Sequence, residues 1–276
     1  MKLSIYTCVK NGLYYDYHLI QMLSHHLPLA DEIVVNEGFS TDRTYQEIKN
    51  LDEKIKVFRC EWDESDPITF FEKIKETARK KCSGDWCISL DCDEFIPEWQ
   101  FDAVREYLLK TDKDILSMQY INFYGSYKTY VADPSKLNWM ERKYAIHRNL
   151  QEIEVWGDGS NVRFREKKMP ERFGSTHFIV HHFGFVRDPA RLREKWRKQS
   201  RTYRTKPKYI CLQIPSWVYR LFPHSWNDPD ILPHLGIYNG PCIKPVMENP
   251  GEFVRDKFRI LKILAKKNDK TLKIDE

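Results

Sequence analysis

The 276-residue sequence predicts an α/β fold: a mostly parallel sheet with helices on both faces. Two observations lead to it. Strand-like and helix-like segments alternate at short intervals through the first 110 residues, and three of the strand-like segments end in polar turns. Alternation at this pace builds βαβ units, in which each helix carries the chain back across the sheet so that the strands lie parallel. In such sheets ligands sit beyond the carboxyl ends of the strands, so polar turns sharing that edge mark where chemistry is expected.

Leu3 to Val9 is β-rich and stops at the turn Lys10-Asn11-Gly12. Tyr15 to Leu27 sets Tyr15, His18, Leu19, Met22, Leu23 and His26 at helical spacing. Glu32 to Val35 is a second strand ending in Asn36-Glu37-Gly38, and Ser40-Thr41-Asp42 supplies capping side chains for a helix through Ile48. Ile55 to Arg59 is the third strand, Phe70 to Lys81 a helix, Trp86 to Leu90 the fourth strand and Gln100 to Lys110 another helix. Beyond residue 112 the pattern loosens. Ile115 to Phe123, Lys143 to His147 and Phe178 to Phe185 read as strands, and Pro189 to Tyr203 as a helix with Leu192, Trp196 and Tyr203 on one side. Residues 205 to 250 hold eight prolines among many aromatics, the composition of an ordered but irregular cover. Gly251 to Lys267 closes as an amphipathic basic helix, suited to packing on the core or to lying on a membrane. The expected division is a domain over 1–204, with halves of about 1–112 and 113–204, and an extension over 205–276.

The composition is that of a soluble globular protein, 41% hydrophobic and 31% charged, and a net charge of +5 does not by itself imply nucleic acid. The start runs directly into a strand pattern with no apolar signal segment, and no stretch of 18 apolar residues predicts a transmembrane helix. The seven cysteines are odd in number and contain no Cys-x-x-Cys pair, as expected of reduced thiols in a cytoplasmic protein.

The fourth strand ends in Asp91-Cys92-Asp93-Glu94. Carboxylates this crowded raise one another's proton affinity, so the pattern asks for a cation. Residues two apart on an extended segment point the same way, so Asp91 and Asp93 would reach one ion. Hard oxygen ligands suit Mg2+ or Mn2+ held together with substrate phosphates. Residues 187 to 208 carry six Arg and four Lys against Asp188 and Glu194, a basic segment suited to solvent, to a diphosphate or to an anionic surface. Trp217, Tyr219, Phe222 and Trp226 suit stacking on sugar rings or an interface.

Three stretches, Leu3 to Asn11, Ala30 to Thr44 and Gly84 to Phe95, together resemble the family 2 glycosyltransferases of GT-A fold over about the first 125 residues. That family usually carries Asp-Asp-Gly-Ser in the second turn, where this chain has Asn36-Glu37-Gly38-Phe39-Ser40. The resemblance implies a metal-dependent enzyme that moves a sugar from a nucleotide-diphosphate sugar to a glycan or lipid-linked acceptor, with inversion. It implies that Thr7 and Asn11 border the base and ribose, that Glu37 contacts the nucleoside, that Asp93 holds the metal with Asp91 against ribose and sugar, and that Cys92 and Glu94 complete the donor site. A late histidine completes the metal site in related enzymes, and His182, rather than His177 or His181, resembles it. The acceptor's general base is expected among Glu152, Glu154 and Asp158, with glycine-flanked Asp158 first and Glu154 second. Two other readings of the same residues are a nucleotidyltransferase that makes nucleotide sugars, and a binding protein with a degenerate site that turns nothing over.

Overall fold

The expected sheet is present in the computed structural model, which describes residues 1–63, 65, 69–137, 139–166, 169–188, 190–192, 194–195 and 231–248. The first half runs β1 (Leu3–Val9), α1 (Leu19–His26), β2 (Glu32–Glu37), α2 (Thr44–Ile48), β3 (Ile55–Arg59), α3 (Phe70–Arg79), β4 (Trp86–Ser89), β5 (Glu94–Phe95) and α4 (Phe101–Lys110). The second runs β6 (Ile115–Tyr124), β7 (Thr129–Val131), β8 (Arg142–Arg148), β9 (Ile153–Trp156), β10 (Asn161–Phe164), β11 (Phe173–Phe185), β12 (Leu235–Ile237) and α5 (Lys244–Glu248).

The large sheet follows the order β12-β7-β6-β8-β4-β1-β2-β3, with β11 beside β6 and β5. Strands β4, β1, β2 and β3 are parallel, and β8 enters antiparallel between β4 and β6. Strands β1, β2 and β4 are buried almost throughout because both faces of the sheet are covered. Leu3, Ile5, Ile33 and Val35 pack with Leu19, Met22, Leu23, Val104 and Leu108 of α1 and α4, whereas Tyr6 and Val34 pack with Ala78 of α3. That alternation, odd against even residues along each strand, places helices on opposite faces.

Helix α1 begins at Leu19, four residues later than the spacing predicts. Asn11 and Asp16 take left-handed backbone conformations, at φ 55° and 54°. The backbone N–H groups of Leu13 and Tyr14 donate to Thr44 Oγ1 and Asp42 Oδ2. The loop is therefore tied to the β2–α2 turn and unavailable for helix. Ile153–Trp156, to which the sequence assigns no element, forms β9, which pairs with β10 in a separate ribbon. Part of the expected irregular cover is regular: β12 adds to the sheet beside β7. Trp196, Tyr203, Trp217, Tyr219, Phe222, Trp226 and the 251–267 helix lie outside the described residues. Among the described residues no helix is long and apolar enough to cross a membrane, and Cys8, Cys60, Cys82, Cys87, Cys92 and Cys242 are free thiols.

The core also holds an unusual number of imidazoles. Burial lowers the pKa of His18, His147 and His182 to about 4 and of His181 to about 3, and it lowers those of His25 and His26. In the unfolded chain the same rings protonate near pH ~6.5. Between these values the unfolded state binds more protons, so stability is retained above pH ~6.5 and is lost as pH falls toward 4. The urea midpoint should drop steadily from pH 7 to pH 5; a flat midpoint would show that these rings are not held neutral in the core.

Candidate active site

Since β4, β1 and β2 are adjacent and parallel, their three polar turns meet at one edge. Hydrogen bonds interlock them. The Asn11 N–H donates to Ser40 Oγ at 2.7 Å, the Thr41 N–H to Asn11 Oδ1 at 2.7 Å, the Gly38 N–H to the Val9 carbonyl at 2.9 Å and the Cys92 thiol to the Cys8 carbonyl at 3.4 Å. Thr7 is fully buried, with its hydroxyl 3.7 Å from Cys92 Sγ. Glu37 is buried as well; its oxygens accept from the Ser40 N–H and from Arg59 Nε, at 2.6 and 2.7 Å. Asn36 donates to the Ile74 carbonyl and accepts from Trp62 Nε1. The ring of Trp62 lies against Gly38, where a Cβ would come within 2.6 Å of it.

Residues 91–94 form a turn, closed by the Glu94 N–H on the Asp91 carbonyl at 3.1 Å, and not the extended segment expected. The alternation argument for Asp91 and Asp93 therefore does not apply, and the two carboxylates meet different partners. Glu94 makes this turn. Its Oε2 accepts from the Asp91 N–H at 2.8 Å and from Lys143 Nζ at 2.5 Å, and its Oε1 accepts from the Tyr120 hydroxyl at 2.5 Å. Both Glu94 and Lys143 are entirely buried. Burial pushes the Glu94 carboxyl up, against the pull of Lys143.

Four cations converge on the three carboxylates. Lys75 from α3 lies 2.5 Å from Asp91 Oδ1, and Lys143 from β8 lies 3.9 Å from Asp91 Oδ2. Beyond β11, Arg187 binds Asp93 Oδ2 and Lys195 lies 3.5 Å from the same oxygen. Burial opposes ionisation of both aspartates, but the charges of Lys75 and Lys143, and of Lys195 and Arg187, outweigh it and hold both well below the usual carboxylate range. Burial, with Arg187 beside it, lowers Lys195 to about 8, and Asp93 opposes that fall. Asp91 is the carboxylate that solvent reaches, with 38% of its side chain exposed against 4% for Asp93.

The other Asp93 oxygen faces His182. Strand β11 pairs antiparallel with β5, which sets His182 opposite Glu94 and His181 opposite Phe95. His181 goes to the apolar side, 3.1 Å from the Tyr238 hydroxyl, and His182 comes to the carboxylates, with Nε2 3.6 Å from Asp93 Oδ1. Asn122 fixes the His182 tautomer: its Nδ2 donates to the Met140 carbonyl, so its Oδ1 accepts from His182 Nδ1–H at 2.8 Å. A neutral ring with its proton on Nδ1 presents a bare Nε2 to Asp93, so two acceptors face each other with no proton between them. Gly184 makes room for this ring, because a Cβ there would lie 2.2 Å from His182 Nε2. Neighbouring ligands of an octahedral Mg2+ at about 2.1 Å stand about 3 Å apart, so the Asp93–His182 pair fits such an ion with little adjustment. No group of three His, Cys, Asp or Glu forms a closed metal cage among the described residues.

The acids expected as base lie on the β9–β10 ribbon. Glu154 is paired with Arg163 at 3.0 Å and Arg165 at 3.8 Å, and Glu152 with Arg172 at 3.4 Å. Asp158 is exposed between Gly157 and Gly159, at φ 77° and 82°, and accepts from the Ser160 N–H at 3.2 Å. Its loop rests on α3: a Cβ on Gly159 would lie 3.2 Å from Cδ of Lys75, the residue that holds Asp91. His177 is exposed on β11. Sequence reasoning missed Lys75, Tyr120, Asn122 and Lys143. The available signal was a lysine among the apolar positions of α3 and another in β8.

A family model described as Glycosyl transferase family 2 matches residues 17–191. No curated protein sequence matches the chain. Among solved structures, S. aureus TarS 1-349 in complex with UDP is similar at a TM-score of 0.42 and 18% identity, over 73% of this chain and 65% of that one. Glucosyl-3-phosphoglycerate synthase from Mycobacterium tuberculosis in complex with phosphoglyceric acid is similar at 0.44 and 14% identity, over 73% of this chain and 79% of that one. The chain spans 39% of a longer S. aureus TarS structure.

Removing one member of a buried ion pair leaves an uncompensated charge, at a cost of about 3–5 kcal/mol. Lys143→Met should therefore lower unfolding free energy by about that much in urea titrations, and adding Glu94→Gln should recover part of the loss. An unchanged midpoint in the single variant would remove Lys143 from the charge network.

Proposed function

The chain belongs to glycosyl transferase family 2, and from that premise we propose that the edge of β1, β2 and β4 takes a nucleotide-diphosphate sugar and passes its sugar to a hydroxyl of a glycan or lipid-linked acceptor, with inversion. The observation that carries this reading is the facing pair of acceptors, Asp93 Oδ1 and His182 Nε2, at 3.6 Å. Such a pair suits Mg2+ or Mn2+, whose remaining ligands come from substrate phosphates and water. When bound, the ion neutralises the diphosphate leaving group as the glycosidic bond breaks.

The rest falls to the chain's own residues. Asp91, partly exposed and held by Lys75, takes the hydroxyls of ribose and sugar. Thr7, Asn11, Glu37 and Cys92 keep the edge in shape beneath the nucleoside through the hydrogen bonds that interlock the turns. Glu94 fixes the turn that aims Asp91 and Asp93. Asp158, exposed on its glycine-flanked loop, receives the acceptor's proton as the new C–O bond forms and the C–O bond to the diphosphate breaks, with its electron pair leaving on the phosphate oxygen.

Thermal-shift measurements over a panel of UDP-, GDP- and ADP-sugars with Mn2+, followed by donor hydrolysis assays, test the reading. A Mn2+-dependent shift and Mn2+-dependent hydrolysis are expected for one donor class; neither, across the panel, would overturn it. Asp93→Asn should abolish Mn2+-dependent donor binding. It is preferable to Asp93→Ala, which strips a partner of similar shape from buried Arg187. Gly184→Ala should act at the same place by displacing His182, raising the Mn2+ concentration needed for half-maximal hydrolysis at least tenfold. Asp158→Asn should leave donor affinity unchanged and reduce transfer about 100-fold or more, the usual share of a general base; a fully active variant would move that role elsewhere.

A further inference from the structure

Beyond β11 the chain crosses the carboxyl edge as a strap. Its described residues dock on the β1–α1 loop. The Val186 carbonyl accepts from His18 Nε2 at 2.9 Å, Arg187 Nη1 donates to the Tyr15 carbonyl at 3.3 Å and the Asp188 N–H donates to Asp16 Oδ2 at 2.9 Å. The Arg191 guanidinium covers the Tyr14 ring at 4.1 Å, and the Tyr14 hydroxyl donates to Glu194 at 2.8 Å. These contacts bring Arg187 and Lys195 together on Asp93 Oδ2, with Arg187 and Lys195 also packed on the Tyr17 ring at 4.7 and 4.9 Å.

The two cations are not equally committed. Arg187 is fully buried and bonded to both Asp93 and a carbonyl, and its Nε has no hydrogen-bond partner among the described residues. Lys195 reaches solvent with 15% of its side chain, and it stands 3.5 Å from an oxygen already taken by Arg187, long for a hydrogen bond. Among the described residues four cations face these three carboxylates, and Lys195 is the one with the weakest hold, at 3.5 Å from its oxygen where Lys75 and Lys143 stand at 2.5 Å from theirs. A flexible ammonium with three rotatable donors suits phosphate oxygens.

We propose that Lys195 binds the diphosphate of the donor directly, and that Arg187 and the docked strap position it there. This rests on the donor class proposed above and adds the residue that would hold the leaving group on the side of Asp93 away from His182. Arg187 keeps Asp93 Oδ2 satisfied while Lys195 turns to the ligand.

The test compares wild type, Lys195→Met and Lys195→Arg by isothermal titration with UDP, GDP, ADP, uridine and inorganic pyrophosphate, at fixed Mn2+ and ionic strength. Loss of one charge-assisted bond should weaken UDP and pyrophosphate about tenfold or more in Lys195→Met. Uridine affinity should stay unchanged, which also reports an intact fold, and Lys195→Arg should restore most of the loss. A ratio of UDP to uridine affinity that is the same in wild type and Lys195→Met overturns the proposal while leaving the nucleotide-sugar reading standing. Lys195-dependent pyrophosphate binding without binding of UDP, GDP or ADP would overturn the donor class while leaving Lys195 as a diphosphate ligand. No binding of pyrophosphate, UDP, GDP or ADP by wild type would overturn both.

Discussion

Three carboxylates in four residues at the end of a buried strand set the condition that the rest of the structure meets. A carboxylate moved out of water without a partner loses several kcal/mol, and like charges nearby add to that loss. The chain answers with four cations from three distant elements: Lys75 from α3, Lys143 from β8, Arg187 and Lys195 from the strap. The antiparallel half of the sheet thus does more than widen it. Strand β8 carries a lysine to Glu94, β6 carries Tyr120 to the same carboxylate, and β11 carries His182 to Asp93.

The same network separates two aspartates that look alike in sequence. Asp91 is held by lysines on its buried side and stays open to solvent on the other, whereas Asp93 has one oxygen on the strap and the other aimed at a bare imidazole nitrogen. Glu94, the third member, is wholly enclosed and acts on the backbone of the turn. Around them Thr7, Asn11 and Cys92 tie the turns to one another, and Glu37 holds its own turn to Arg59 of β3.

The parallel core was legible because its signals are local: short β-rich runs for β1, β2 and β4, helical spacing for α1, and a polar turn after each of these strands. The placement of His181 and His182 on opposite sides also followed from strand alternation. What could not be read depends on partners far away in the chain. The start of α1 is set by Asp42 and Thr44 holding the loop before it. Strands β5, β7 and β12, two or three residues each, are too short to carry a period. Lys75 and Lys143 look like surface lysines until the sheet brings Asp91 and Glu94 to them.

The strap that brings Arg187 across the edge also imposes an order in time. Asp93 and its guanidinium partner are separated by 94 positions, and a ribosome adds about 5–20 residues per second. For several seconds of each synthesis the nascent chain carries its carboxylates without the charge that settles them. The parallel strands that frame the site are complete by residue 89, yet among the described residues Arg187 and Lys195, which close on Asp93, come well after them. Arg187 is in that sense a completion signal, and a chain halted before it would hold the walls of the site without the buried charge that joins them.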